Sequence, residues 1–196
     1  MNLNRNTIIL FITAFSLMGL VFLTEIRKDG FNISPVGKQE DNIPSIFPFK
    51  TEEIQALEIQ IDDQFIAFEK TGNEPLSWMM KQPENTKASD AAIAFLLNLF
   101  PSANKKIELL ATDEQRKEYG INNNSPTITI TLKNSDRYQM ILGKSNFDDT
   151  QIYAEVIFPE KEKIKPQIYL VSKSFQYALE RNFDEWLEKE NKTISP

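Results

Sequence analysis

The chemistry open to this chain rests on its acids. The 196 residues include 28 Asp and Glu but no Cys and no His. The missing types remove the thiolate nucleophile, the zinc ribbon, the iron–sulfur cluster, the disulfide, the Ser-His-Asp relay and every imidazole metal ligand. General acid–base work is left to carboxylates. Two adjacent pairs stand out, Asp62-Asp63 and Asp148-Asp149. Both sit between apolar runs, where Asp bonds its local backbone and shapes a turn. Neither has the alternating oxygens and closing Glu of a calcium loop. A carboxylate-dependent hydrolase would need two distant acids folded together, one of them with a displaced pKa. The six glycines are scattered, so no glycine-rich phosphate loop is present. The expectation is a chain with no catalytic residues, no metal site and no cofactor.

Aromatic residues are the better candidates for recognition. Ile46-Phe47-Pro48-Phe49 interrupts a polar stretch, and Trp78 lies in a short apolar run. The plain reading packs the first on the domain's own edge and the second in a sheet. The sharper one makes Phe47, Phe49 and Trp78 partner-binding residues, since exposed aromatics anchor interfaces. Tyr119-Gly120 reads as a helix stop with a packed ring, and Glu160-Lys161-Glu162-Lys163 as a solvated loop. With 22 Lys and Arg against 28 acids, net charge −6, the chain does not suit nucleic acid.

These residues are presented by three successive segments. Residues 6–24 carry no charge and are mostly apolar. Nineteen helical residues span roughly 28 Å, about one hydrocarbon core. The expectation is a transmembrane anchor within residues 1–29. The rival, a cleaved signal, wants small residues at its cut, where Thr24-Glu25-Ile26-Arg27-Lys28 stands instead. A lipoprotein cut is excluded by the lack of Cys. Lys and Arg near the span lean by one or two charges toward a cytoplasmic carboxyl-terminal domain. Residues 1–29 hold three cations and two acids, a net of +1, which leaves −7 on the remainder. So acidic a part stands off anionic lipid. Residues 30–50, with Gly30, Gly37, Pro35, Pro44 and Pro48, read as a tether. Residues 51–188 form the soluble domain and 189–196 a tail.

Within the domain, Leu57-Glu58-Ile59-Gln60-Ile61 alternates as a strand, and Phe65-Ile66-Ala67-Phe68 returns after Asp62-Asp63-Gln64. Leu76 to Lys81 supplies a third strand. Ser89 or Asp90 caps a helix whose Ile93, Leu96, Leu97 and Phe100 share a face, closed by Pro101. After the run 107–110, Thr112 and Gln115 have capping-box spacing, and Gly120 suits a left-handed helix end. Strands follow at Thr127 to Leu132, Tyr138 to Gly143, Ile152 to Val156 and Ile168 to Val171. A last helix from Ser172 carries Phe175, Leu179, Phe183, Trp186 and Leu187 on one stripe. The expected class is α+β, with two antiparallel sheets, each bearing a helix on one face. Hairpin, strand and helix recur in 54–100 and 126–187, which raises a duplicated unit, although the residue identities do not repeat.

Trp78, Pro83 and Asp90, then Tyr119-Gly120-Ile121, Pro126, Leu142-Gly143, Tyr153 and Tyr169-Leu170-Val171, resemble in order and spacing the domain-of-unknown-function family numbered 4340. The resemblance covers about residues 54–187. It implies an amino-terminal membrane helix, in some members beside transporter components related to gliding motility. Phe47-Pro48-Phe49 is similar to photosynthetic-bacterial members, which implies a thylakoid location. No catalytic residue is carried over from the family. The expected function is therefore a non-enzymatic, membrane-anchored interaction module, an accessory or assembly factor of an integral membrane protein complex; in a photosynthetic host that complex would be a photosystem. An auxiliary subunit of an ABC-type transport system is the first alternative and the hydrolase the second.

Overall fold

Alternation of apolar and polar side chains builds the strands. In β1 (Ile54–Ile61), Ile54, Leu57 and Ile59 point into the core; in β6 (Thr127–Leu132), Ile128 and Ile130 do so while the threonines take the other face. The computed structural model describes residues 43–72, 77–105 and 107–189. The proposed anchor, Leu76, the first part of the tether and residues 190–196 of the tail lie outside them. No helix among the described residues is long and apolar enough to cross a membrane.

The other strands are β2 (Gln64–Lys70), β3 (Trp78–Gln82), β4 (Thr86–Lys87), β5 (Glu108–Leu110), β7 (Arg137–Ser145), β8 (Gln151–Ile157) and β9 (Gln167–Ser172). They form one antiparallel sheet in the order β4-β3-β2-β1-β6-β7-β8-β9-β5, not the two sheets expected. The reason lies in register. Ile66 pairs with Ile59, Ile59 with Ile128, Ile128 with Met140 and Met140 with Val156. That apolar row crosses five strands, and splitting it between β1 and β6 would expose both halves. The edge strand β4, only two residues long, has no sequence pattern to announce it.

Two helices cover the row. Helix α1 (Asp90–Leu97) starts at Ser89, whose hydroxyl accepts from the Ala92 amide at 3.3 Å. It ends at Leu97, short of Pro101, because the chain tightens into three-residue turns: Leu99 N bonds Leu96 O and Phe100 N bonds Leu97 O. Phe100 still reaches the core. The last helix is likewise shorter than expected. Helix α3 (Ser174–Leu179) stops, and a 3-10 turn (Phe183–Trp186) begins anew at Asn182, whose backbone amide donates to Glu185. Phe175, Leu179 and Trp186 remain buried on one side.

Helices are not confined to one face. Helix α2 (Asp113–Glu118) crosses the opposite one. Thr112 accepts from Gln115 N, and Gly120, at φ +70°, ends the helix with Gly120 N bonded to Lys117 O and Ile121 N to Arg116 O. That Schellman end folds Ile121 onto Ile141 and Ile168.

The domain also starts earlier than its assigned boundary at residue 51. Ile46 N bonds Ala103 O at 2.9 Å, and Ile46 and Phe47 are buried. Residues 43–50 therefore belong to the folded unit and not to the tether.

Candidate functional site around strand β8

The aromatic candidates are inside. Trp78 is 1% exposed and Phe47 3%; Phe47 meets Phe100 edge-on at 5.1 Å, and the partly buried Phe49 packs on Tyr138 at 5.0 Å. Burial favours the plain reading of Phe47 and Trp78, as packed residues, over the sharper one that made them partner-binding; Phe49 is partly buried. The acidic pairs sit in turns. Asp62 and Asp149 both adopt positive φ, +49° and +57°, which Asp tolerates better than most residues. Among the described residues no three acids gather as a metal site would require.

Two positions on or beside β8 depart from the usual partition of polar and apolar groups. The first is Glu155, in the second half of the strand and 1% exposed. Alternation turns it away from Ala154 and Val156, onto the face that carries Ile141 and Ile168. Helix α2 supplies its counter-ion: Arg116 Nη1 donates to Glu155 Oε1 at 3.2 Å. Glu155 Oε2 is buried without a partner. Burial pushes the carboxyl above its ordinary range, and the Arg116 guanidinium only partly restrains the shift. Tyr119 stacks on Tyr153 at 4.0 Å beside the pair. Gly143 lies beneath the helix end, where a Cβ would stand 2.2 Å from Tyr119 O.

The second position is Phe147, in the turn joining β7 to β8, and it is fully exposed. The turn that carries it is tied from within. Asn146 Oδ1 accepts from Thr150 N at 3.1 Å and Gln151 N at 3.0 Å. Asp148 Oδ1 accepts from Thr150 N at 3.1 Å and from the Thr150 hydroxyl at 2.5 Å. The Thr150 hydroxyl and amide hold the Asp148 carboxyl below its ordinary range. Asp149 pairs with Lys173, which lowers the carboxyl and raises the amine. Lys173 N also bonds Thr150 O, so the start of α3 is fastened to the turn. On that helix Tyr177 is 57% exposed, with the Lys173 ammonium 5.8 Å from its ring centre.

Sequence reasoning noticed Asp148-Asp149 but not the aromatic between them and Asn146. The available signal was an unpaired Phe within a turn of Asn, Asp and Thr. For Glu155 the signal was a lone charge inside Ile-Tyr-Ala-Glu-Val.

A family model described as Domain of unknown function (DUF4340) matches residues 78–196. No curated protein and no solved structure matches the chain.

Proposed function

We propose, for a chain that belongs to the domain-of-unknown-function family DUF4340, a non-enzymatic role as an interaction module of a membrane protein complex. The observation that supports it most is Phe147, a fully exposed aromatic on a turn held in one conformation. Leaving a Phe side chain in water forgoes about 2 kcal/mol of burial. Nothing in the turn recovers that loss, whereas a binding partner would. Residues 6–24 serve in this reading as the anchor that keeps the domain beside its complex. The domain acts there as an accessory or assembly subunit, and no reaction is assigned to it.

The test is the size of the native particle. Full-length chain at native expression level, extracted in mild detergent, should migrate with an integral membrane protein in fixed stoichiometry. A monomeric particle in every detergent tried would overturn the proposal.

A further inference from the structure

We infer that the β7–β8 turn is a plug: Phe147 enters an apolar socket on a partner protein, and Asp148 meets a Lys or Arg on the socket's rim. The inference rests on the interaction-module reading and goes beyond it in naming the partner's chemistry.

The turn has what an anchor needs. Its conformation is set before binding, by Asn146 and Asp148 acting on Thr150 and Gln151 and by the closing bonds Asn146 N to Gln151 O at 2.9 Å and Asp149 N to Asn146 O at 3.2 Å. A partner therefore bears little of the ordering cost that a flexible loop would add. One aromatic at the tip fits the common pattern in which a few aromatic residues carry most of an interface's energy.

Charge selects the partner. Asp149 is already matched by Lys173 within the chain. Asp148 accepts from Thr150, and no Lys or Arg among the described residues forms an ion pair with it. Seating the ring brings that carboxylate against the socket's rim, where an unmatched charge is costly and a cation restores the balance. The same carboxylates oppose the other occupants. An anionic lipid surface repels them, and insertion of the ring into a bilayer would drag them toward hydrocarbon. A second copy of this chain is a poor host as well. In its cleft at Ile157, Phe158 and Pro159 the cations Arg137 and Lys161 are already paired with Glu58 and Asp136, and its cleft beside Phe95 sets Asp90, Glu185 and Glu188 against Arg181 and Lys189.

The experiment uses the full chain in its native membrane, with Phe147 replaced by the photoreactive p-benzoylphenylalanine. Irradiation should give one protein adduct, mapped to a peptide with apolar residues and at least one Lys or Arg. Asp148→Asn, which keeps an Oδ1 acceptor for Thr150, should then reduce recovery of that partner about tenfold, and changing the mapped cation to Met should do the same. Adducts with lipid, with a second copy of the chain, or with a peptide lacking cations would each overturn the inference, as would undiminished recovery of the partner with either replacement. Recovery of the partner through an affinity tag, without crosslinking, separates the two levels. A partner that co-purifies but never touches position 147 sinks the plug alone; no partner at all sinks the interaction-module reading.

Discussion

Strand β8 and the turn before it hold a charge where apolar groups belong and an aromatic ring where water belongs. Glu155 and Phe147 are eight residues apart, and each sits on the side of the water boundary that its chemistry disfavours. The difference is in how the cost is met. At Glu155 the chain answers in part: Arg116 reaches down from α2 to one carboxylate oxygen, while the other stays buried without a partner. At Phe147 the chain supplies hydrogen bonds to the backbone of the turn and nothing to the ring. The first arrangement explains itself inside the fold as the pin that seats α2 on the sheet. The second leaves the ring without cover in the fold, which is what the proposed partner would supply.

If that contrast is right, changes around Glu155 act on stability and changes at Phe147 act on association. The largest stability loss is expected from Gly143→Ala, at about 3 kcal/mol, because the new Cβ meets the backbone oxygen of Tyr119 and the side chain of Ile121. Urea unfolding measures it; a loss under about 0.5 kcal/mol would show that α2 is not seated tightly on β7. Arg116→Ala comes next, at about 2 kcal/mol, since it leaves a buried carboxylate without its cation. By the same argument Glu155→Gln should change stability by less than about 1 kcal/mol, because Arg116 retains access to water. Equal losses for the two variants would remove the asymmetry on which the comparison depends.

Titration should separate the regions by sign. The Glu155 carboxyl is raised in the folded state, so the folded chain holds more proton than the unfolded one above the ordinary value of 4.5. Stability should fall as pH rises through that window, and Glu155→Gln should abolish the slope. Asp148 and Asp149 are lowered in the folded state. Their contribution is present above the ordinary value of 3.8 and is lost as pH falls through the folded values. Thermal unfolding across the acid range measures both, and a Glu155→Gln profile identical to wild type would contradict the first.

How much of this was legible beforehand depends on the range of the interaction. Ser89, Thr112 and Gly120 declare helix ends through neighbours three residues away, and all three act as caps or stops. The Thr-Ile alternation of β6 declares a strand and its inner face. What alternation does not contain is which strand lies alongside, so the pairing of β1 with β6 that merges two expected sheets was invisible. The break after Leu179 was hidden because Phe175, Leu179 and Trp186 keep helical spacing across it. Trp78 and Phe47 allowed both a packed and a recognition reading, because residue type alone does not decide burial, which is a property of the whole sheet. Glu155 and Phe147 differ from these. Each was anomalous in its own segment, but judging an anomaly requires knowing which face of the sheet is covered and where the turn projects.

The smallest expected effect on stability is also the most telling. Phe147→Ala should shift unfolding by less than about 0.5 kcal/mol, because its ring touches nothing that the fold relies on. The decisive measurement compares the mass of the detergent-extracted particle for the wild-type full chain and for Phe147→Ala, both at native expression level. The account predicts a stoichiometric complex for the first and at least a tenfold loss of it for the second, with the fold unchanged. A wild-type particle that is already monomeric, or a complex equally abundant in the variant, would contradict it.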